Sequence, residues 1–144
     1  MMPLRCAAFI FWLLAVTVSA HEQEKGQSGG VEPPYTVTPV FQQAMSDPGL
    51  AGYDMLATRL DIRPGGIDPA PHRHDADLFV YVLKGSVEIE LAEKKARYHA
   101  GAMFHEPRNA LHSLLRNTSD DEPASILAIF VIKSGREAVV PATK

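Results

Sequence analysis

The sequence predicts an all-β chain folded as a single small sandwich or barrel, and three observations predict it. From Tyr35 onward, short apolar runs are broken roughly every 8–12 residues by Gly, Pro, Asn or Asp, the spacing of strands and turns in such folds. Several of the runs alternate apolar and polar residues with the period of two expected of half-buried strands. Helical periodicity is scarce, the one candidate being Phe41–Ser46, which is too short to organise a fold.

In chain order, Arg5 is followed by an almost unbroken apolar run, Cys6–Val18, and then by the small residues Val18-Ser19-Ala20. This is the layout of a secretory signal peptide over residues 1–20, with cleavage near Ala20 and a periplasmic or secreted product. The alternative is a membrane anchor, but the run spans about 13 residues where roughly 20 are needed to cross a bilayer. Cleavage removes both Cys6 and Arg5, so the mature chain has no cysteine and is expected not to insert stably in a membrane. Residues 21–34 are polar and glycine-rich and read as a flexible leader. The domain itself is assigned to residues 35–144.

Within that domain, Leu56, Thr58, Leu60 and Ile62 share one face of a strand, while Ala57, Arg59 and Asp61 share the other. Val87, Ile89 and Leu91 repeat the pattern against Ser86, Glu88 and Glu90. Leu78–Leu83 and Ile126–Ile132 are more uniformly apolar, which predicts central strands covered on both faces. The predicted turns are Pro64-Gly65-Gly66, Lys84-Gly85-Ser86, Ala100-Gly101, Pro107-Arg108-Asn109, and Asn117 through Pro123.

Composition narrows the chemistry. With 14 Lys and Arg against 17 Asp and Glu and a net charge of −3, no basic field exists to hold a nucleic acid. One cysteine excludes an internal disulfide and a zinc–thiolate site. Six histidines remain. His72 and His74 lie two apart, so on a strand both side chains leave the same face and can offer a nitrogen each to one ion. The alternative is a surface pair beside Asp75 and Asp77. A third ligand from another strand is expected at His112, which follows the Pro107 turn and opens a run ending at Asn117.

These residues carry a resemblance. Gly66, His72-Arg73-His74 and Gly85 resemble the first cupin motif, a glycine-bounded HxH followed by a glutamate and a turn glycine. Gly101, Pro107-Arg108-Asn109, His112 and Asn117 resemble the second, and the match runs from about residue 62 to 117. The stretch Pro71–Gly85 is also similar to a subgroup of small, single-domain bacterial cupins, often exported, whose second motif has a glutamate before the proline. The resemblance implies a cupin jelly-roll β-barrel with a ligand site in its mouth.

Two departures matter. Leu78 stands where the family's first motif has its glutamate ligand, and Asp77 points to the other face by alternation. Either three histidines and water complete the site, or another acid substitutes. Glu106 is the candidate, since alternation places it with Phe104 toward the interior, the alternative being an exposed turn carboxylate. Asn109 replaces a glycine, a mild change because asparagine tolerates positive φ. His105 alternates away from Glu106, and His99 falls in a polar turn region; both read as solvated. His21 would be the first mature residue, weak grounds for a copper or nickel chelate. Arg59 and Arg63 read as surface residues, with a clamp for an acidic substrate as the alternative.

Three or four such ligands suit one divalent transition metal, whether Fe, Zn, Mn, Ni or Cu. An ion with open positions belongs to a catalytic or capturing site. Three readings follow: a metal-dependent dioxygenase, isomerase or lyase acting on a small oxygenated molecule, with Glu106 as ligand or general base; a non-catalytic exported module that binds a metal or small ligand; or a barrel whose histidines are structural. A homodimer formed through barrel faces or exchange of Tyr35–Val40 is a further expectation.

Overall fold

The computed structural model describes residues 32–142. Eleven strands occur among them: β1 (Tyr35–Ala44), β2 (Tyr53–Ile62), β3 (Ile67–Asp68), β4 (His72–Arg73), β5 (Ala76–Lys84), β6 (Ser86–Leu91), β7 (Lys94–His99), β8 (Met103–Glu106), β9 (His112–Asn117), β10 (Ala124–Lys133) and β11 (Val140–Pro141). The only helical turn in this span is a three-residue 3-10 segment, Pro48–Leu50, capped by the Asp47 side chain accepting from Gly49 N at 2.7 Å.

The strands pair antiparallel in two sheets, ordered β1-β2-β10-β5-β8 and β11-β4-β9-β6-β7, with β3 added against β9. Ile62, Leu78, Val80, Val82, Val87, Ile89, Leu115, Ile126 and Phe130 fill the space between the sheets. This is the expected all-β jelly roll. The alternation in β2 and β6 is observed: Ile62, Val87 and Ile89 are buried, and Leu56, Leu60 and Leu91 pack against the core. Each full burial of such a side chain contributes about 1.5–3 kcal/mol.

Several expectations are corrected. β5 and β10 are not covered on both faces: Ala76, Leu78, Val80 and Val82 are buried, whereas Asp77, Tyr81 and Leu83 are exposed. Among the described residues, no second layer covers the outer face of that sheet, so its apolar residues stay partly wet. Phe41–Ser46 is no helix, because pairing with β2 carries β1 through Phe41↔Ala57 to Ala44↔Asp54 and overrides the local pattern. His99 ends a strand instead of lying in a turn. That strand, β7, is an edge strand among the described residues and carries Lys94, Lys95 and Arg97. It joins β6 through Ala92 and Glu93, both at positive φ (47° and 66°), a turn geometry that an Asn-Gly pair normally announces.

Turn residues fix the remaining frame. Gly85 has φ +74°, and a Cβ there would stand 3.0 Å from Ala124 Cα. Asn109 adopts φ 62°, as the glycine it replaces would. Asn117, fully buried, donates to Arg63 O (3.1 Å) and Glu122 O (2.8 Å) and accepts from Ser119 N (3.0 Å), pinning two turns to the end of β9. Pro34, at the end of the predicted leader, accepts from Arg63 N at 3.1 Å. The predicted signal peptide, Cys6 and His21 lie outside the described residues.

Candidate metal centre

Two short strands bring the histidines together. His72 on β4 is the direct cross-strand partner of His112, the first residue of β9. The ring centroid of His72 lies 4.7 Å from that of His112 and 4.8 Å from that of His74, the residue that follows β4. One nitrogen from each of His72, His74 and His112 falls within 4.8 Å of the others, close to the span of about 4 Å that two ligands bound at about 2 Å can reach across one ion.

Glu106 completes the cluster from β8. It is 1% exposed, and its register partner across the β5–β8 pair is Leu78. The carboxylate thus enters at the same rung as the leucine, from the neighbouring strand. Its Oε2 lies 3.5 Å from His74 Nε2 and 3.4 Å from His112 Nδ1. Phe104 lies on the same face of β8 and stacks on Tyr98 at 4.0 Å, as alternation requires.

Backbone carbonyls fix which nitrogen of each ring carries the hydrogen. A carbonyl can only accept, so the ring nitrogen facing it donates. His72 Nδ1 donates to Ala70 O (3.0 Å), His74 Nδ1 to Ala138 O (2.7 Å) and His112 Nε2 to Leu114 O (2.7 Å). In the neutral rings the other nitrogens carry lone pairs. Two of those, on His74 and His112, face the Glu106 carboxylate. Acceptor then meets acceptor, and both Glu106 Oε2 and His112 Nδ1 are buried without a hydrogen-bond partner. Such a donor set fits a cation, and the three histidines can hold a metal ion.

Electrostatics agree with this crowding. Burial pushes the His74 pKa below its usual 6.5, only partly opposed by the Ala138 carbonyl and Glu106. Burial also lowers that of His112, but the Glu106 carboxylate facing Nδ1, with Leu114 O and Asp68, raises it overall, so a proton on Nδ1 relieves the same contact that a cation would. Nearby, the Tyr35 hydroxyl donates to Asp68 Oδ2 at 2.9 Å, and burial together with that carboxylate pushes its pKa up to about 12.

Asp75 is the brace around the site. It accepts from Arg108 Nε at 2.6 Å and from Arg136 at 2.7 Å, tying the turn after Glu106 to the segment that supplies Ala138 O. Asn109 N donates to His74 O at 2.8 Å across the same gap. Neither Asp75 nor Ala138 stands out in the sequence, because each acts only through residues distant in the chain. The other candidates stay outside. His105 is exposed, paired with Asp77 at 3.0 Å and stacked on Phe79. His99 is exposed, and Arg59 pairs with Asp61 at 2.9 Å on the outside of β2. Arg63 is exposed as well, and neither arginine lines the cavity beside the histidines.

Comparison with known proteins agrees with this geometry. Germin-like protein subfamily 2 member 2 of Arabidopsis thaliana is 32% identical over 102 residues, 67% of this chain and 45% of that protein. Germin-like protein 3-1 of Oryza sativa subsp. japonica is 34% identical over 104 residues, 68% of this chain and 45% of that protein. The chain thus spans less than half the length of these relatives. Among solved structures, KdgF from Halomonas sp. superposes with a TM-score of 0.57 at 21% identity, covering 74% of this chain and 86% of that one. The formate complex of Lactobacillus farciminis oxalate decarboxylase gives 0.58 at 19%, covering 78% of this chain and 32% of that one. The family model described as "Cupin domain" matches residues 58–130, a span that includes His72, His74, Glu106 and His112, and the chain belongs to the cupin family.

Proposed function

We propose that this chain is an exported cupin that holds one divalent transition metal on His72, His74, His112 and Glu106 and acts there on a small oxygenated molecule. Export rests on the signal-like residues 1–20. The observation that carries the metal reading is the set of inward lone pairs: three neutral rings, each donating its other N–H to a carbonyl, bring one nitrogen each within 4.8 Å of the others beside the buried Glu106 carboxylate. Glu106 takes the place of the acid missing at Leu78 because the two are register partners.

When bound, the ion supplies Lewis-acid polarisation of a substrate oxygen, or electron transfer if it is redox-active. The chain's own residues do the rest. The carbonyls of Ala70, Ala138 and Leu114 hold the ring orientations. Leu60, Val80, Phe104 and Ile126 wall the adjoining cavity and exclude water, which strengthens every charge interaction inside it. Among the described residues Glu106 is the one carboxylate in the cavity lining, and where it is not a ligand of the ion its Oε2 is placed to hold or move a proton of a bound molecule.

That same fact supports a second reading. If Glu106 is committed to the ion, no other carboxylate in the described lining can serve as base, as befits a module that captures a ligand without altering it. Metal analysis of the mature protein and of His112→Ala, together with oxygen-uptake and turnover assays, tests both readings. Stoichiometric metal lost in His112→Ala is expected. Metal-free protein from its native compartment overturns both, and ligand-induced thermal stabilisation without turnover favours capture.

A further inference from the structure

The cavity beside the histidines has a lopsided chemistry. Its volume is about 240 Å³, below the roughly 300–1,000 Å³ of pockets for drug-sized ligands, so it suits a molecule of one ring or a short chain. Its imidazoles and its carboxylate are clustered together, in His72, His74, His112 and Glu106. Away from them the wall is aliphatic and aromatic, interrupted by two hydroxyls, those of Thr58 and Tyr35, and Tyr35 gives its hydrogen to Asp68. Among the described residues, no Lys or Arg is in the lining. Of the arginines around the site, Arg108 and Arg136 pair with Asp75 and Arg73 donates to Asn109 O; Arg116, which follows Leu115 in β9, is not among the lining residues.

Charge accounting then constrains the ligand. A divalent ion held by neutral rings and Glu106 leaves a single net positive charge at the ligand atoms, with Asp68 outside the lining and bonded to the Tyr35 hydroxyl. One anionic oxygen on the ligand neutralises it. A second anionic group would have to lie against hydrocarbon with no cation and few donors, a transfer that costs several kcal/mol or more. Resting on the metal reading above, we infer that the site takes a small molecule with one anionic oxygen head, a carboxylate, phenolate or enolate, on an apolar body, and that it rejects diacids and sugar acids. Specificity arises from what the wall lacks. A body carrying several hydroxyls would leave them unpaired in the same hydrocarbon, so the exclusion extends from charge to polarity.

The test uses the full mature protein loaded with zinc, which is redox-silent and leaves binding as the only readout. Calorimetric titration compares benzoate, phenylacetate and hexanoate with phthalate, adipate and glucuronate. The monoanions with apolar bodies are expected to bind at least about tenfold more tightly than the second set. Val37→Arg sets a cation at the cavity rim, where Val37 is 55% exposed and the core is untouched. It is expected to narrow the gap between benzoate and phthalate. Equal or tighter binding of the second set, or no difference between the sets including no binding by either, overturns the inference. Zinc content measured on the same samples separates the two failures. A protein that retains no zinc overturns the metal reading and this inference with it, whereas retained zinc with a preference for the diacids overturns this inference alone.

Discussion

The two ends of β9 bury polar side chains in opposite ways. His112 begins the strand and Asn117 ends it, roughly 17 Å apart at about 3.4 Å per residue, and both are buried. Around Asn117 the amide's donors and its acceptor oxygen find backbone partners, and two turns are fastened as a result. Around His112 a ring lone pair faces a carboxylate oxygen, and neither atom has a hydrogen-bond partner. Burial of polar groups therefore does not have one meaning in this molecule. Where the network closes on itself it stabilises the fold, and where it is left open it can take up a proton or a cation.

The sharpest way to break the comparison is to exchange the consequences. Asn117→Ala strands two carbonyls and the Ser119 N–H, and is expected to cost about 3 kcal/mol in urea unfolding, with zinc affinity unchanged in the folded fraction. Glu106→Gln is expected to act in the other direction on the metal-free protein. Its amide N–H can donate to His112 Nδ1 or His74 Nε2, so the unfolding midpoint in chelator should hold or rise by about 1 kcal/mol. Zinc affinity should fall about 10–100-fold in competition titrations. A Glu106→Gln protein as unstable as Asn117→Ala would show that both ends are structural.

How much of this was legible in the sequence follows from the range of each contact. The HxH pair, the inward alternation of Val87 and Ile89, and the interior position of Glu106 beside Phe104 are set by a period of two, and local order reveals them. His112 opens its strand at the residue where the turn chemistry ends it upstream. The Ala92-Glu93 turn carries no such sign, because two ordinary residues adopt positive φ under the pull of paired strands. The bonds that orient His74 through Ala138 and that join Asp75 to Arg136 span 64 and 61 residues, and no local pattern encodes them. What the periodicity shows is which residues face inward; what the fold adds is which atoms of those residues are left without partners.

Asp75 sharpens the comparison at the open end. Asp75→Ala releases the Arg108 turn next to Glu106 and the segment carrying Ala138 O, while removing no atom of the cluster itself. Zinc affinity is expected to fall severalfold, less than in Glu106→Gln, because the ligand atoms remain but are held less firmly. Asp75→Asn, which keeps an acceptor oxygen, should recover part of the loss in the same titration. A value equal to wild type for Asp75→Ala would mean that the strands alone orient the site.

The smallest effect is on pH dependence, and it separates the two histidines that face Glu106. In the metal-free protein His112 has a folded pKa above its usual 6.5, so its contribution is fully present below 6.5 and is lost as pH rises through the raised value. His74 has a folded pKa below 6.5; the unfolded chain takes up a proton there that the folded ring resists, so stability falls as pH drops from 6.5 toward the lowered value. Together the two produce a shallow stability maximum near 6.5, to be measured by urea unfolding in chelator from about pH 5 to about pH 8. Glu106→Gln removes the attraction that raises His112 and the partial support that Glu106 gives to a charged His74. The alkaline flank should therefore flatten while the acid flank steepens. Asn117→Ala, which touches neither ring, should lower the whole curve without changing its shape, and a change of shape there would couple the two ends of β9 that the hydrogen bonds keep apart.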